Sequence, residues 1–169
     1  ENQMAASTVV KVRRDGKIRL QDGAGSPVTL EIDYEDGNFS ADLLGADADR
    51  IVIRDRGSIV GLRSGDDQVG SLSFSVHMRE FSNQGAATLI DFCNGTAAGS
   101  ALTSTGGSGF TPFLCTVLMD IEGTDHGDNA DGACIFNKVL LTADFSEGDP
   151  NVINVSGEVY GVIQRSGQT

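Results

Sequence analysis

The stretch SLSFSVHMREF, residues 71–81, changes character at every second residue. Leu72, Phe74, Val76 and Met78 fall on one side of an extended chain, and Ser71, Ser73, Ser75, His77 and Arg79 on the other. A period of two places residues i, i+2 and i+4 on one face only in a β-strand, so this segment belongs to a sheet with one dry side and one wet side. The same period recurs in residues 27–34, where Val28, Leu30, Ile32 and Tyr34 oppose Thr29, Glu31 and Asp33. It recurs again in residues 151–164, where Ile153, Val155, Val159 and Ile163 oppose Asn154, Ser156, Glu158 and Tyr160. Gly157 and Gly161 are expected to introduce a bulge or bend there.

Further strands are predicted over residues 113–122 and 133–145, and over 8–13 and 17–21, the last two flanking Asp15-Gly16. That dipeptide suits a type I′ hairpin turn, because both central positions need positive φ. Residues 50–54 and 58–63 form two more strands meeting at Gly57. One helix is expected, capped at its start by Ser82-Asn83 and at its end by Gly95, with Ala86, Leu89, Ile90 and Cys93 as its apolar stripe. The fold class that follows is mainly β: an antiparallel β-sandwich or barrel with one short α-helix and long loops. At 169 residues the chain suits a single domain over 1–169, with flexible arms at 1–7 and 165–169 and a Gly/Ser-rich loop at 94–112.

Twelve bases against 24 acids give a net charge of −12, which disfavours a protein built to grip phosphates. The charge is unevenly spread: Lys11, Arg13, Arg14, Lys17 and Arg19 cluster early, while acids dominate residues 120–149. Such polarity suits head-to-tail association, although a mixed solvated surface explains it too. No run of 18 apolar residues and no leader-like pattern occurs, so neither a membrane span nor a signal peptide is expected. Cys93, Cys115 and Cys134 are odd in number and widely spaced, fitting reduced thiols better than a disulfide framework or a zinc site. The sequons at Asn38, Asn94 and Asn154 would matter only in a secretory protein.

No catalytic constellation assembles. His77 and His126 stand apart, and no nucleophile elbow, HExxH or phosphate loop is present. DHGDNADG, residues 125–132, has oxygen ligands suited to a hard cation, but an EF-hand frame would put Gly127 first and Lys138 last, so an acidic hairpin tip is the default reading. Neither a metal nor a cofactor is expected. The serines at 71, 73 and 75 and the set Asn154, Ser156 and Glu158 describe a small, polar sheet face with few bases, as befits a pore wall or a hydrated outer surface.

Taken in order, DGNFS at 36–40, IRDRGSIVGLRSGDDQ at 53–68, GSLSFSVHMREF at 70–81, ATLIDF, the Gly/Ser loop and LTADFSEGDPNVINVSG at 141–157 resemble the major tail tube protein of long, non-contractile-tailed bacteriophages. The resemblance covers roughly Lys11 to Gly161. It implies a non-catalytic structural subunit forming stacked rings, usually of six, whose inner sheets join into one barrel. The partners it implies are other copies, a tape measure protein, other tail proteins and DNA in transit, with no membrane. The place it implies is a virion tail, made in the host bacterial cytoplasm. On this reading Ser71, Ser73, Ser75, His77, Asn154, Ser156 and Glu158 are candidates for the lumen wall. Arg13, Arg14 and Lys17 become candidates to meet Glu147 and Asp149 of the next ring. The loops at 37–50 and 94–112 become contacts between subunits, and Arg54, Arg56 and Arg63 are expected to pair with a neighbour's acids. Two rivals remain: the tube or ring protein of a contractile tail or secretion system, and a monomeric carbohydrate-binding β-sandwich. The second fits poorly with a chain that has no Trp and two Tyr.

Overall fold

The computed structural model describes residues 16–32, 38–43, 48–81, 83–96, 101–123 and 131–166. Arg13, Arg14, the expected strand at 8–13, most of the acidic loop at 125–132 and the arm at 1–7 lie outside the described residues. The strands are β1 (Gly16–Gln21), β2 (Thr29–Ile32), β3 (Ser40–Ala41), β4 (Ala48–Asp55), β5 (Ser58–Asp67), β6 (Gly70–His77), β7 (Cys115–Ile121), β8 (Gly132–Ser146), β9 (Val152–Val159) and β10 (Ile163–Ser166), with one helix, α1 (Leu89–Asn94), between β6 and β7.

All the pairings are antiparallel, and the main sheet runs β2-β1-β7-β8-β9-β6-β3, with β10 also on β8. Strand β8 belongs to two halves of that sheet. Residues 132–139 pair with β7 and, at the other edge, with β10, whereas residues 139–146 pair with β9. Between the two halves Lys138 adopts a positive φ of 53°, while Tyr160 and Gly161 donate their amides to the carbonyls of Lys138 and Asn137. The sheet therefore turns along β8, and its halves close on a single core. Ile18, Leu20, Ile32, Val117 and Phe136 come from one half, and Leu72, Phe74, Val76, Leu141, Ile153, Val155 and Val159 from the other. Phe39, beside edge strand β3, touches both halves through Phe74 at 6.3 Å and Phe136 at 5.9 Å between ring centroids. This is the antiparallel β-sandwich expected from the alternation.

Three details depart from the sequence reading. The helix starts at Leu89, not near residues 82–83. Thr88 is the N-cap: its hydroxyl accepts from the Asp91 amide while the Asp91 carboxylate accepts from the Thr88 amide at 2.8 Å. This reciprocal pair satisfies two orphan donors and outweighs the caps upstream, where the Asn83 side chain instead accepts from the Gly85 amide in a turn. Gly95 closes the helix at φ 70°, as expected. Second, residues 151–164 divide into β9 and β10 at Gly161, where an added Cβ would lie 2.5 Å from the Asn137 carbonyl oxygen. Gly157, by contrast, stays in register opposite Leu72 and Leu141, and a Cβ there would crowd Leu72 and Val139. Third, residues 101–112 of the Gly/Ser segment are tied to the body. The buried carboxylate of Asp22 accepts from the amides of Val28 at 2.8 Å and Thr103 at 3.0 Å, and Leu102 packs on the core.

Candidate functional site: a polar sheet face and a projecting hairpin

The outer faces of the two half-sheets differ chemically. On the first, acids and bases alternate across strands: Lys17 pairs with Glu31 at 3.0 Å, and Arg19 makes a two-pronged pair with Asp120, with 2.8 Å between Nη2 and Oδ1. Each hydrogen bond to its carboxylate holds the base's pKa above its ordinary value. Lys17, a candidate contact between rings, is thus engaged within its own subunit.

The second face is built from β6, β9 and the C-terminal part of β8. In register, Ser71 lies opposite Glu158, Ser73 opposite Ser156 and Ser75 opposite Asn154; across β9, Thr142 faces Ser156 and Asp144 faces Asn154. Ser71, Ser73, His77, Thr142, Asp144, Asn154, Ser156 and Glu158 are exposed, and Ser75 is half-buried, while every alternate residue of β6 and β9 from Leu72 to Val76 and from Ile153 to Val159 is buried. The structure therefore brings together all seven residues that the sequence singled out for a wet face, His77 and Val152 marking its end. Ser40 of β3 extends the face across the edge of β6, opposite Ser73. A shallow cavity of about 360 Å³ lies over Ser40, Asp42, Ser71, Ser73, Thr142, Ser156 and Glu158. No lysine or arginine occurs in residues 64–78 or 139–164, so the formal charges on this wall are acidic. At its rim the Tyr160 hydroxyl donates to Glu158 at 2.5 Å, which raises the tyrosine's pKa.

Glu147 and Asp149 are exposed in the turn joining β8 to β9, where Gly148 donates to the Asn151 side chain at 2.9 Å. Turn chemistry and solvent account for this acidic corner, and among the described residues no base pairs with it and it is not a closed binding site.

The feature that the sequence did not flag is the separation of the β4–β5 hairpin, whose two strands were expected, from the main sheet. The hairpin forms a two-stranded sheet of its own, turned by Arg56 and Gly57 at φ 48° and 89°. Apolar side chains line both of its faces. Val52 opposes Leu62 on one, and Ile51 and Ile53 lie on the other; with Ile59 and Val60 these are 42–64% exposed. Arginines 54, 56 and 63 are exposed alongside them. Among the described residues neither edge of this pair meets another strand, and a strand pair with two apolar faces and two such edges is an incomplete packing unit. The signal for it lay in IVI at 51–53 and IVGL at 59–62, which lack a polar alternate.

No protein-family profile matches the sequence, and no curated protein matches it. Its fold is nevertheless shared by solved structures. A chain in the cryo-EM structure of the PVC sheath/tube terminator of an extracellular contractile injection system, in the extended state, matches with a TM-score of 0.57 and 15% identity, covering 96% of this chain and 99% of that one. A chain of the anti-feeding prophage cap, a tube-terminating cap, gives 0.55 and 11% identity over 99% and 97%. A chain of the PVC sheath–tube complex gives 0.54 and 12% over 97% and 100%. End to end, the chain thus has the antiparallel β-sandwich fold found in tube and tube-terminator assemblies of contractile injection systems.

Proposed function

We propose that this chain is a non-catalytic, self-assembling subunit of a phage-tail-like tube, forming stacked six-membered rings around a channel. The observation that carries this reading is the wall of β6, β9 and the end of β8: three strands wide, small, polar and acidic, without a lysine or arginine. Nucleic acid binds proteins mainly through bases that displace its counterions, so a wall like this lets a polyanion slide without adhering. Ser71, Ser73, Ser75, His77, Asn154, Ser156 and Glu158 face the lumen in this arrangement, and the wall sheets of neighbours join edge to edge, which removes exposed strand edges.

Within that class, the resemblance of the sequence supports a non-contractile bacteriophage tail that delivers DNA, assembled around a tape measure protein in the virion. The fold likeness to contractile injection systems supports a second reading, the tube or tube-terminating ring of a contractile particle. Negative-stain imaging of concentrated protein tests the common claim. Hollow tubes or stacked rings are expected, and a solute that remains monomeric at every concentration would refute it. Long tubes favour the tube subunit, and single rings that bind only tube ends favour the terminator.

A further inference from the structure

The apolar hairpin and an aromatic patch lie at opposite ends of the same sheet. The hairpin joins the body through Gln68 and Val69 at the Gly70 end of β6. At the other end of β6, beyond His77, Phe81 packs at a tilt against Phe145 with ring centroids 5.9 Å apart, and these residues are 58% and 50% exposed. Phe145 opposes Ile153, and Ile153 opposes Val76, so the pair caps the sandwich beside the β8–β9 turn.

The two surfaces are complementary in charge as well as apolar. The hairpin's charge is polarised: residues 50–63, which include its tip, contain four arginines and one aspartate, a net +3, whereas Asp49, Asp66 and Asp67 sit at its base and bring the whole of β4–β5 to zero. Arg54, Arg56 and Arg63 make no ion pair among the described residues. The patch carries exposed Glu80, Glu147 and Asp149, and Arg79, the base nearest to it in sequence, already has a partner. Reach fits too. At about 3.3 Å per residue, the eight residues of β4 extend roughly 26 Å, the same as the eight of β6, so an arm rooted at one end of a wall sheet spans a neighbour's sheet to its far end.

We infer that the β4–β5 hairpin of one copy docks on the acid-rimmed Phe81–Phe145 patch of a second copy, Arg54 and Arg56 meeting Glu147 and Asp149. This deepens the tube reading and rests on it: two different surfaces at opposite ends make a heterologous contact that repeats head to tail. Apolar burial supplies most of the attraction and the charges set the register.

Charge reversal tests it, scored by sedimentation and negative stain. The double variants R54E/R56E and E147R/D149R, each retaining the wild-type thermal midpoint, are expected to need at least tenfold more protein to assemble. Mixed one to one, they are expected to assemble like wild type, because each hairpin then finds an opposite patch, and a chain carrying all four substitutions is expected to do so alone. If wild type assembles and either double variant matches it, or if the mixture does not recover, the docking site is wrong while the tube reading stands. If wild type never assembles, the tube reading fails and takes this inference with it.

Discussion

Asp22 shows how one side chain can organise distant sequence. The residue is 5% exposed and its carboxylate accepts from the amides of Val28 and Thr103, tying a segment 81 residues away to the end of β1. Replacing it with alanine strands those donors in a dry place, so Asp22→Ala is expected to cost about 2–4 kcal/mol, read as a fall in denaturant midpoint at constant m-value. Asp22→Asn, which keeps one acceptor oxygen, is expected to lose less. The thiols behave differently. Burial pushes Cys115 up to about 12 and Cys93 to about 11, so at pH 8 both stay protonated and poorly nucleophilic. Iodoacetamide at that pH is expected to spare Cys115 in the folded protein and to modify it after unfolding; mass spectrometry of the digest reads the difference. The cysteine count foresaw unpaired thiols. Asp22 was not foreseen, because its partners are amides far away in sequence and no local pattern records them.

Among the elements, β6, β9 and β8 were legible because a half-buried strand writes its two faces into alternate residues. The turn of the sheet along β8 was not, since it depends on Lys138 taking a positive φ where Tyr160 and Gly161 bond to Lys138 and Asn137, residues far apart in sequence. Gly161→Ala would drive a methyl group into the Asn137 carbonyl, part of the backbone and unable to swing aside. It is expected to cost about 1–3 kcal/mol in thermal or chemical unfolding. The helix start was misplaced because Ser82 and Asn83 are good caps in isolation, whereas Thr88 and Asp91 cap reciprocally. Thr88→Ala is expected to cost about 1 kcal/mol, also read by unfolding. The hairpin's strands were legible, but not its separation from the main sheet: propensity says that a strand forms and is silent about its partner.

At the scale of the whole molecule, the division between a charge-paired outer face and an acidic, base-free one is what the proposed channel needs. Adding bases to the second face tests that electrostatic claim separately from assembly. Ser73→Lys with Ser156→Lys, adjacent across β6 and β9, is expected to leave tubes intact but to make them retain DNA. Co-sedimentation at low salt should show that retention, and it should fade as ionic strength rises. Wild-type tubes are expected to retain none. The seven wet-face residues could be read from sequence because they sit on two alternating strands; the Phe81–Phe145 patch could not, because its rings come from a loop and a strand end that meet only when the sandwich closes.

The placement of hairpin and aromatic pair at opposite ends of β6 has a further consequence. A filament joined through them has a direction, for one terminus always presents vacant arms and the other vacant sockets. Whatever stops growth at each terminus must then offer opposite chemistry: a greasy, acidic seat at one, a cationic, apolar finger at the other. No single capping surface suffices for both.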